Sequence, residues 1–159
     1  MIFSMGCLSD NEFKMPGETP EGIIFDKRFE EFGDHILIIR DAKEFSKRYA
    51  NALRRRKGVF KPEYLHKGFG KVNYKNLYAH SGPIGIYCKD QRFDWQIELR
   101  LAIGAEDKTL NSRGALELNI GDIFDITSIS LLSSILETPI KMTRTKVQQI
   151  GDKWFALKS

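Results

Sequence analysis

The clearest pattern in the chain is an alternation over residues 92–103. Phe93, Trp95, Ile97, Leu99, Leu101 and Ile103 hold one parity, and Arg92, Asp94, Gln96, Glu98, Arg100 and Ala102 the other. Successive side chains of a strand point to opposite faces, so the spacing predicts one long strand with an apolar face on the core and a polar face outward. Residues 84–88 alternate less cleanly, and Lys89-Asp90-Gln91-Arg92 between them has the composition of a turn, which predicts an antiparallel hairpin. Lys71-Val72-Asn73-Tyr74-Lys75 also alternates. The continuous apolar run over residues 35–39 reads as a strand buried on both faces. Shorter strands are expected at residues 2–5, 22–25, 116–120 and 123–126, with closing strands at 140–147 and 154–157. Residues 8–21, with Pro16, Gly17 and Pro20, read as a loop.

One segment changes to the helical period. Phe45, Tyr49, Ala52 and Leu53 recur at helix spacing, and Asp41-Ala42-Lys43-Glu44 has the spacing of a capping box that opens it. Arg54, Arg55, Arg56 and Lys57 crowd the C-terminal end, where cations suit the helix dipole, and Gly58 is a natural stop. A second, short helix is expected over residues 128–136, with Ile129, Leu132, Ser133 and Leu136 inward. Strands in a run with few helices predict an α+β fold: a single domain over residues 1–159, with a mainly antiparallel sheet of five to seven strands and one principal helix at 41–56. A doubly wound parallel sheet needs a helix between successive strands, and the pattern does not supply it.

Composition fits that picture. At 159 residues, 42% hydrophobic and 29% charged, the chain is too apolar for disorder and has the size of one domain. Two distant cysteines, Cys7 and Cys88, and no CxxC exclude a disulfide framework or zinc ribbon and suit thiols in a reducing cytoplasm. The first residues lack the basic lead and long apolar stretch of a signal peptide, and no later apolar run is long enough to span a bilayer, so a cytoplasmic protein without a membrane anchor is expected.

The net charge of +4 conceals strong asymmetry: residues 40–75 carry twelve basic and three acidic side chains, whereas residues 1–39 carry three basic and eight acidic. A block of that density attracts anions over about one Debye length, ~8–10 Å. Within it, Arg54 to Lys57, Lys61, Lys67 and Lys71 are interleaved with Phe60, Tyr64, Phe69 and Tyr74. Cations neutralise phosphates and aromatic faces stack on unpaired bases, so this stretch is the candidate anion-binding element, with nucleic acid or an acidic protein as partner. Its plain alternative is a solvated helix end with aromatics packed inward. Lys67-Gly68-Phe69-Gly70-Lys71 fits neither a P-loop nor GxGxxG.

On the polar parity of residues 92–103, Gln96 and Glu98 stand side by side. This Gln-x-Glu resembles the strand motif of bacterial ADP-ribosyltransferases. The resemblance implies an NAD-dependent enzyme in which Glu98 supports an oxocarbenium-like transition state, Gln96 positions the acceptor, and Arg40, at the end of the 35–39 strand, binds NAD phosphates. The family's Ser-Thr-Ser strand is missing, with Ser81 as a remnant at most. More of the chain, about residues 1–125, resembles a group of uncharacterised bacterial and phage-encoded proteins. The likeness rests on Ile2-Phe3-Ser4-Met5, residues 35–48, Val72-Asn73-Tyr74, and Lys89, Phe93, Gln96, Glu98 and Arg100; it implies a bacterial or phage origin and no particular activity. Glu98-x-Arg100 departs from the Glu-x-Lys of metal-dependent nucleases, because arginine does not readily shed its proton. His35, His66 and His80 lack ligand spacing, so no metal is expected.

The leading expectation is thus a small intracellular binder of an anionic partner, without a cofactor, through Arg40, Arg54, Arg55, Arg56, Lys57, Lys61, Lys67 and Lys71. The alternatives are the NAD-dependent enzyme using Arg40, Gln96 and Glu98, and a protein-binding inhibitor of a host system.

Overall fold

The structure, a computed structural model, describes residues 1–8, 17–61 and 68–141 and the backbone of residues 147–150 and 153–156. In chain order the elements are β1 (Ile2–Gly6), β2 (Glu18–Thr19), β3 (Gly22–Ile23), β4 (His35–Ile39), α1 (Ala42–Arg55), β5 (Val59–Phe60), β6 (Phe69–Lys71), β7 (Asn73–Lys75), β8 (Cys88–Asp90), β9 (Glu98–Ala102), β10 (Gly104–Ala105), β11 (Thr127–Leu131), α2 (Leu132–Glu137), β12 (Val147–Ile150) and β13 (Lys153–Ala156). The fold is α+β, with mostly antiparallel pairing and one principal helix. In place of one sheet of five to seven strands, the described strands form a three-stranded sheet, β1-β9-β6, and five two-stranded ones. Among them only β7 and β8 pair in parallel, which replaces the expected hairpin between residues 84–88 and 92–103.

The long alternating segment is not one strand. Asp90 accepts from the backbone N–H of Arg92 and winds residues 91–96 into a tight 3-10 turn, and Ile97, at φ 46° and ψ 49°, then enters the left-handed region. For a β-branched residue this backbone is strained, and it resets the parity of the chain. Trp95 buries itself in the turn beneath Phe29, at 5.0 Å edge-on, and Phe32, at 5.9 Å stacked, with the Arg28 guanidinium 4.7 Å from its ring.

Only residues 98–102 continue as strand, and both of their faces are covered: Leu101 is buried as the alternation predicts, but so are Glu98 and Ala102 on the parity expected to face outward. Leu101 pairs laterally with Phe3 and Phe69, whose side chains stay 56% and 54% exposed, while Glu98 and Arg100 on the other face are covered. The cover comes from residues 86–90; the Tyr87 ring approaches Gly70 so closely that a Cβ there would lie 3.1 Å from it.

Helix α1 begins as its cap predicts: the Asp41 carboxylate accepts from the Glu44 N–H at 2.8 Å. The reciprocal half of the capping box does not form, because the Glu44 carboxylate is drawn to Lys47, at 3.1 Å, and Arg48, at 3.0 Å. Ala52 is buried and Phe45, Tyr49 and Leu53 are half-buried, so the inner stripe stands. Gly58 follows at φ 76°, and a Cβ there would lie 2.2 Å from Thr109 Cγ2.

Three other expectations change. Residues 35–39 form β4, but among the described strands it pairs only with β11, and Leu37 stays half exposed opposite an exposed Ile129, so the strand is not buried on both faces. Residues 116–120 are irregular, and 123–126 end in a 3-10 turn, Phe124–Ile126. The segment read as helix from residue 128 starts as β11, because Thr127-Ser128-Ile129-Ser130-Leu131 alternates, and helix α2 begins only at Leu132 with Leu132, Ile135 and Leu136 buried. The expected 140–147 strand lies partly outside the described residues; β12 and β13 form an antiparallel hairpin. Gly22, at φ 141°, lets β3 approach Ile140, whose backbone exchanges two hydrogen bonds with Ile23. Among the described residues, no helix is long and apolar enough to cross a membrane.

Candidate functional site

Two regions gather the chemistry. The first is the covered face of the β1-β9-β6 sheet. The Glu98 side chain is 8% exposed; Arg100 Nε donates to its Oε1 at 2.8 Å and Lys89 Nζ to its Oε2 at 3.0 Å. Lys89 also donates to Gln96 Oε1, and Arg100 to the Ile86 carbonyl. The Glu98 N–H donates to the Tyr74 hydroxyl at 2.9 Å. Burial works to raise the Glu98 pKa, but hydrogen bonds from Arg100, Ser4 and Lys89 together outweigh it and bring it down to about 2. Gln96 and Glu98 therefore do meet, through Lys89, with both carboxylate oxygens of Glu98 engaged. The Tyr87 hydroxyl, beside this cluster's cover, is the one buried side-chain polar atom among the described residues without a partner.

Arg40 is engaged elsewhere. Its Nη2 donates to the Thr127 carbonyl at 3.0 Å and to the Asp125 carbonyl at 3.4 Å, so it seals the β4-β11 pair from outside. Arg48 ties helix α1 to the same region, donating to Asp125 at 2.6 and 2.8 Å, to the Asp122 carbonyl, and to Glu44. Asp125 is thus a partner of the helix.

The second region is the edge of the sheet that carries the basic block. Backbone bonds from Val72 N to Glu98 O at 2.9 Å, Ala102 N to Gly68 O at 2.8 Å and Glu106 N to Gly58 O at 2.8 Å all lie on one side of the path from residue 98 to 106. Strand β5 joins that side through the pairs Gly104 with Phe60 and Ala105 with Val59. Residues 57–61 and 68–72 are thus two parts of one interrupted edge strand, running along about 26 Å of the central path at ~3.3 Å per residue. The basic helix end feeds directly into it.

Along that edge Phe60 and Phe69 are each 54% exposed, whereas Tyr74 packs inward against Glu98, so the inward-packed alternative holds for one of the three described aromatics. The Phe60 ring takes the space over Gly104, where a Cβ would lie 2.4 Å from it. Arg55, Lys57 and Lys71 have side chains with no partner among the described residues. Arg54 is held by Asn51 at 2.5 Å and Arg56 by the Thr109 carbonyl at 3.0 Å. Lys61 is exposed just past β5, while Tyr64 and Lys67 lie outside the described residues. Phe69 lies opposite Leu101 and Phe60 opposite Gly104, an odd and an even position of the central path, so the two rings flank the basic edge from opposite faces of the sheet.

A cleft of about 250 Å³ lies between Gly17, Ile24, Phe25, Trp95 and Ile97. Its polar lining is satisfied internally: Asp26 chelates Arg28 at 2.9 and 2.6 Å, and the Thr19 hydroxyl donates to the Gly22 carbonyl at 2.9 Å. Among the described residues, no group of three His, Cys, Asp or Glu side chains is placed to hold a metal ion.

Sequence reasoning missed Lys89 and Ser4 as members of the ionic cluster. The available signal was Ser4 as the lone hydroxyl in an otherwise apolar strand. The chain matches no protein-family description, no curated protein and no solved structure.

Proposed function

We propose that this protein binds an anionic polymer, single-stranded nucleic acid in the first instance, along the edge formed by the end of α1, β5 and β6. The observation that carries the reading is the exposure of Phe60 and Phe69 on the same edge that receives Arg55, Lys57 and Lys71. A cationic track alone binds any polyanion; aromatic faces interleaved with it favour unpaired bases, which every sequence offers. Arg54 and Arg56, anchored by Asn51 and Thr109, keep the helix end in place while leaving guanidinium donors for phosphate. The reading fits a bacterial or phage cytoplasmic protein, in which Cys7 and Cys88 stay as free thiols.

The enzyme alternative has less support. Both Glu98 oxygens are taken by Arg100 and Lys89, and Arg40 is spent on the Thr127 and Asp125 carbonyls. The geometry gives Glu98 the work of a buried counter-ion.

The test is binding of a labelled oligothymidylate, followed by anisotropy across a salt series. Changing Arg54, Arg55, Arg56 and Lys57 together to Ala is expected to flatten the log–log salt slope by about 3, at ~0.7 for each phosphate of a single strand that is no longer neutralised. Phe60→Ala and Phe69→Ala are each expected to weaken binding by about 1–3 kcal/mol while leaving the slope unchanged. Unchanged affinity and slope in the quadruple variant defeats the reading. A slope change without any effect of the two phenylalanines redirects it to an acidic protein or a duplex.

A further inference from the structure

We infer that the free edge of β1 is a self-pairing surface, on which a second copy of this chain adds its own β1 antiparallel to form a two-fold, six-stranded sheet. Strand β1 uses the backbone groups of its odd-numbered residues toward β9: Met1 accepts from the Ile103 N–H at 3.0 Å, and Cys7 donates to the Ile97 carbonyl at 2.8 Å. The N–H and C=O groups of Ile2, Ser4 and Gly6 therefore point to the outer edge, where no described strand pairs with them. Exposed edges are ordinarily guarded by lysine, proline, inward charge or a bulge. The opposite edge of this sheet has Lys71 and the β7-β8 pair beside it, whereas residues 1–8 contain no charged side chain and no proline.

The occupant follows from the strand itself. The three outward residues are centred on Ser4, and a two-fold axis there matches each outward donor to an acceptor in about six backbone bonds. It sets Ile2, 49% exposed, opposite Gly6 of the other copy, a large side chain against none, on the face that carries Glu98 and Arg100 in β9. On the outer face it sets Phe3, 56% exposed, opposite Met5, a thioether against an aromatic ring. Self-complementarity of size on both faces is what an isologous pair requires, and a strand without charge gives an unrelated charged peptide nothing to select.

Sedimentation of the full chain between about 1 and 200 μM tests the inference, with a concentration-dependent species of twice the chain mass as the expected result; a monomer throughout overturns it. Phe3→Lys is expected to weaken the dimer at least ten-fold. Ile129→Lys, on the exposed face of the β4-β11 pair, is expected to leave it unchanged. Dissociation by Ile129→Lys and not by Phe3→Lys overturns the assignment to β1. Because Phe3→Lys acts on a strand that also pairs with β9, hydrogen exchange of the unaltered protein supplies a separate reading. The amides of Ile2, Ser4 and Gly6 should be protected in the dimer and lose that protection on dilution, and amides already exchanging freely in the dimer refute the pairing.

Discussion

Removing the charge of Glu98 tests the ionic cluster directly. In Glu98→Gln, Lys89 and Arg100, at 3.0 and 2.8 Å from the carboxylate in the parent, face each other across a neutral amide. A carboxyl held at about 2 against an ordinary 4.5 corresponds to about 3 kcal/mol at neutral pH, at ~1.4 kcal/mol per unit. Lys89 is partly open to water, so screening reduces this to about 2 kcal/mol. For a chain of this size that is a fall of about 4–8 °C in melting temperature. The sign with pH follows from the depressed value. The stabilisation is complete above 4.5 and is lost as pH falls toward 2, because the unfolded chain takes up the proton first. Thermal melts of both proteins from pH 6 down to pH 2 should therefore converge, with the parent losing its advantage between about 4.5 and 2. Other carboxylates titrate in both proteins, so the difference between the two isolates Glu98. A gap that stays constant across that window, or no gap at pH 7, refutes the account of Glu98 as an ionised, paired carboxylate.

Other expectations rest on single interactions. Tyr87→Phe removes the buried hydroxyl that lacks a partner and should raise stability by about 1 kcal/mol in urea titrations; a decrease of that size points to a water-mediated partner. Asp41→Ala removes the acceptor of the Glu44 N–H and should cost about 1 kcal/mol, read as a fall in melting temperature with fraying of the first turn of α1. Gly22→Ala places a Cβ about 2.6 Å from the Ile140 carbonyl oxygen on a backbone at φ 141°, and should destabilise by more than about 1 kcal/mol, with reduced amide protection at Ile23 and Ile140.

The parts of the fold legible in the sequence were those set by local rules. Helix α1 followed from the Asp41 cap, the 3.6-residue stripe and Gly58, all within one short stretch. The polar parity of residues 92–103 identified Glu98 and Gln96, but not that its face over residues 98–102 is covered as well as the face of Leu101. Alternation says which residues share a face and not which face is covered; that was decided by Tyr87 and residues 86–90, which arrive from elsewhere in the chain. The break at Ile97 was also illegible, since a β-branched residue is the last type that propensity assigns to a left-handed backbone. The basic edge was visible as composition. Its linear form needed the pairing of β5 with β10, two residues on each side, which leaves almost no periodic signal.

The left-handed Ile97 has a consequence for how the molecule comes apart. It separates Trp95, within the aromatic packing of Phe29 and Phe32, from Glu98, within the ionic cluster, by only three positions of chain. Two environments with opposite solvent responses, one held by apolar packing and one by charge, are thereby yoked mechanically. Acid that discharges the carboxylate is therefore expected to shift the emission of the indole before the chain unfolds, and an emission unchanged down to pH 2 refutes the coupling. In a Trp154→Phe background, the emission of Trp95 would then serve as an optical gauge of the ion cluster three positions away.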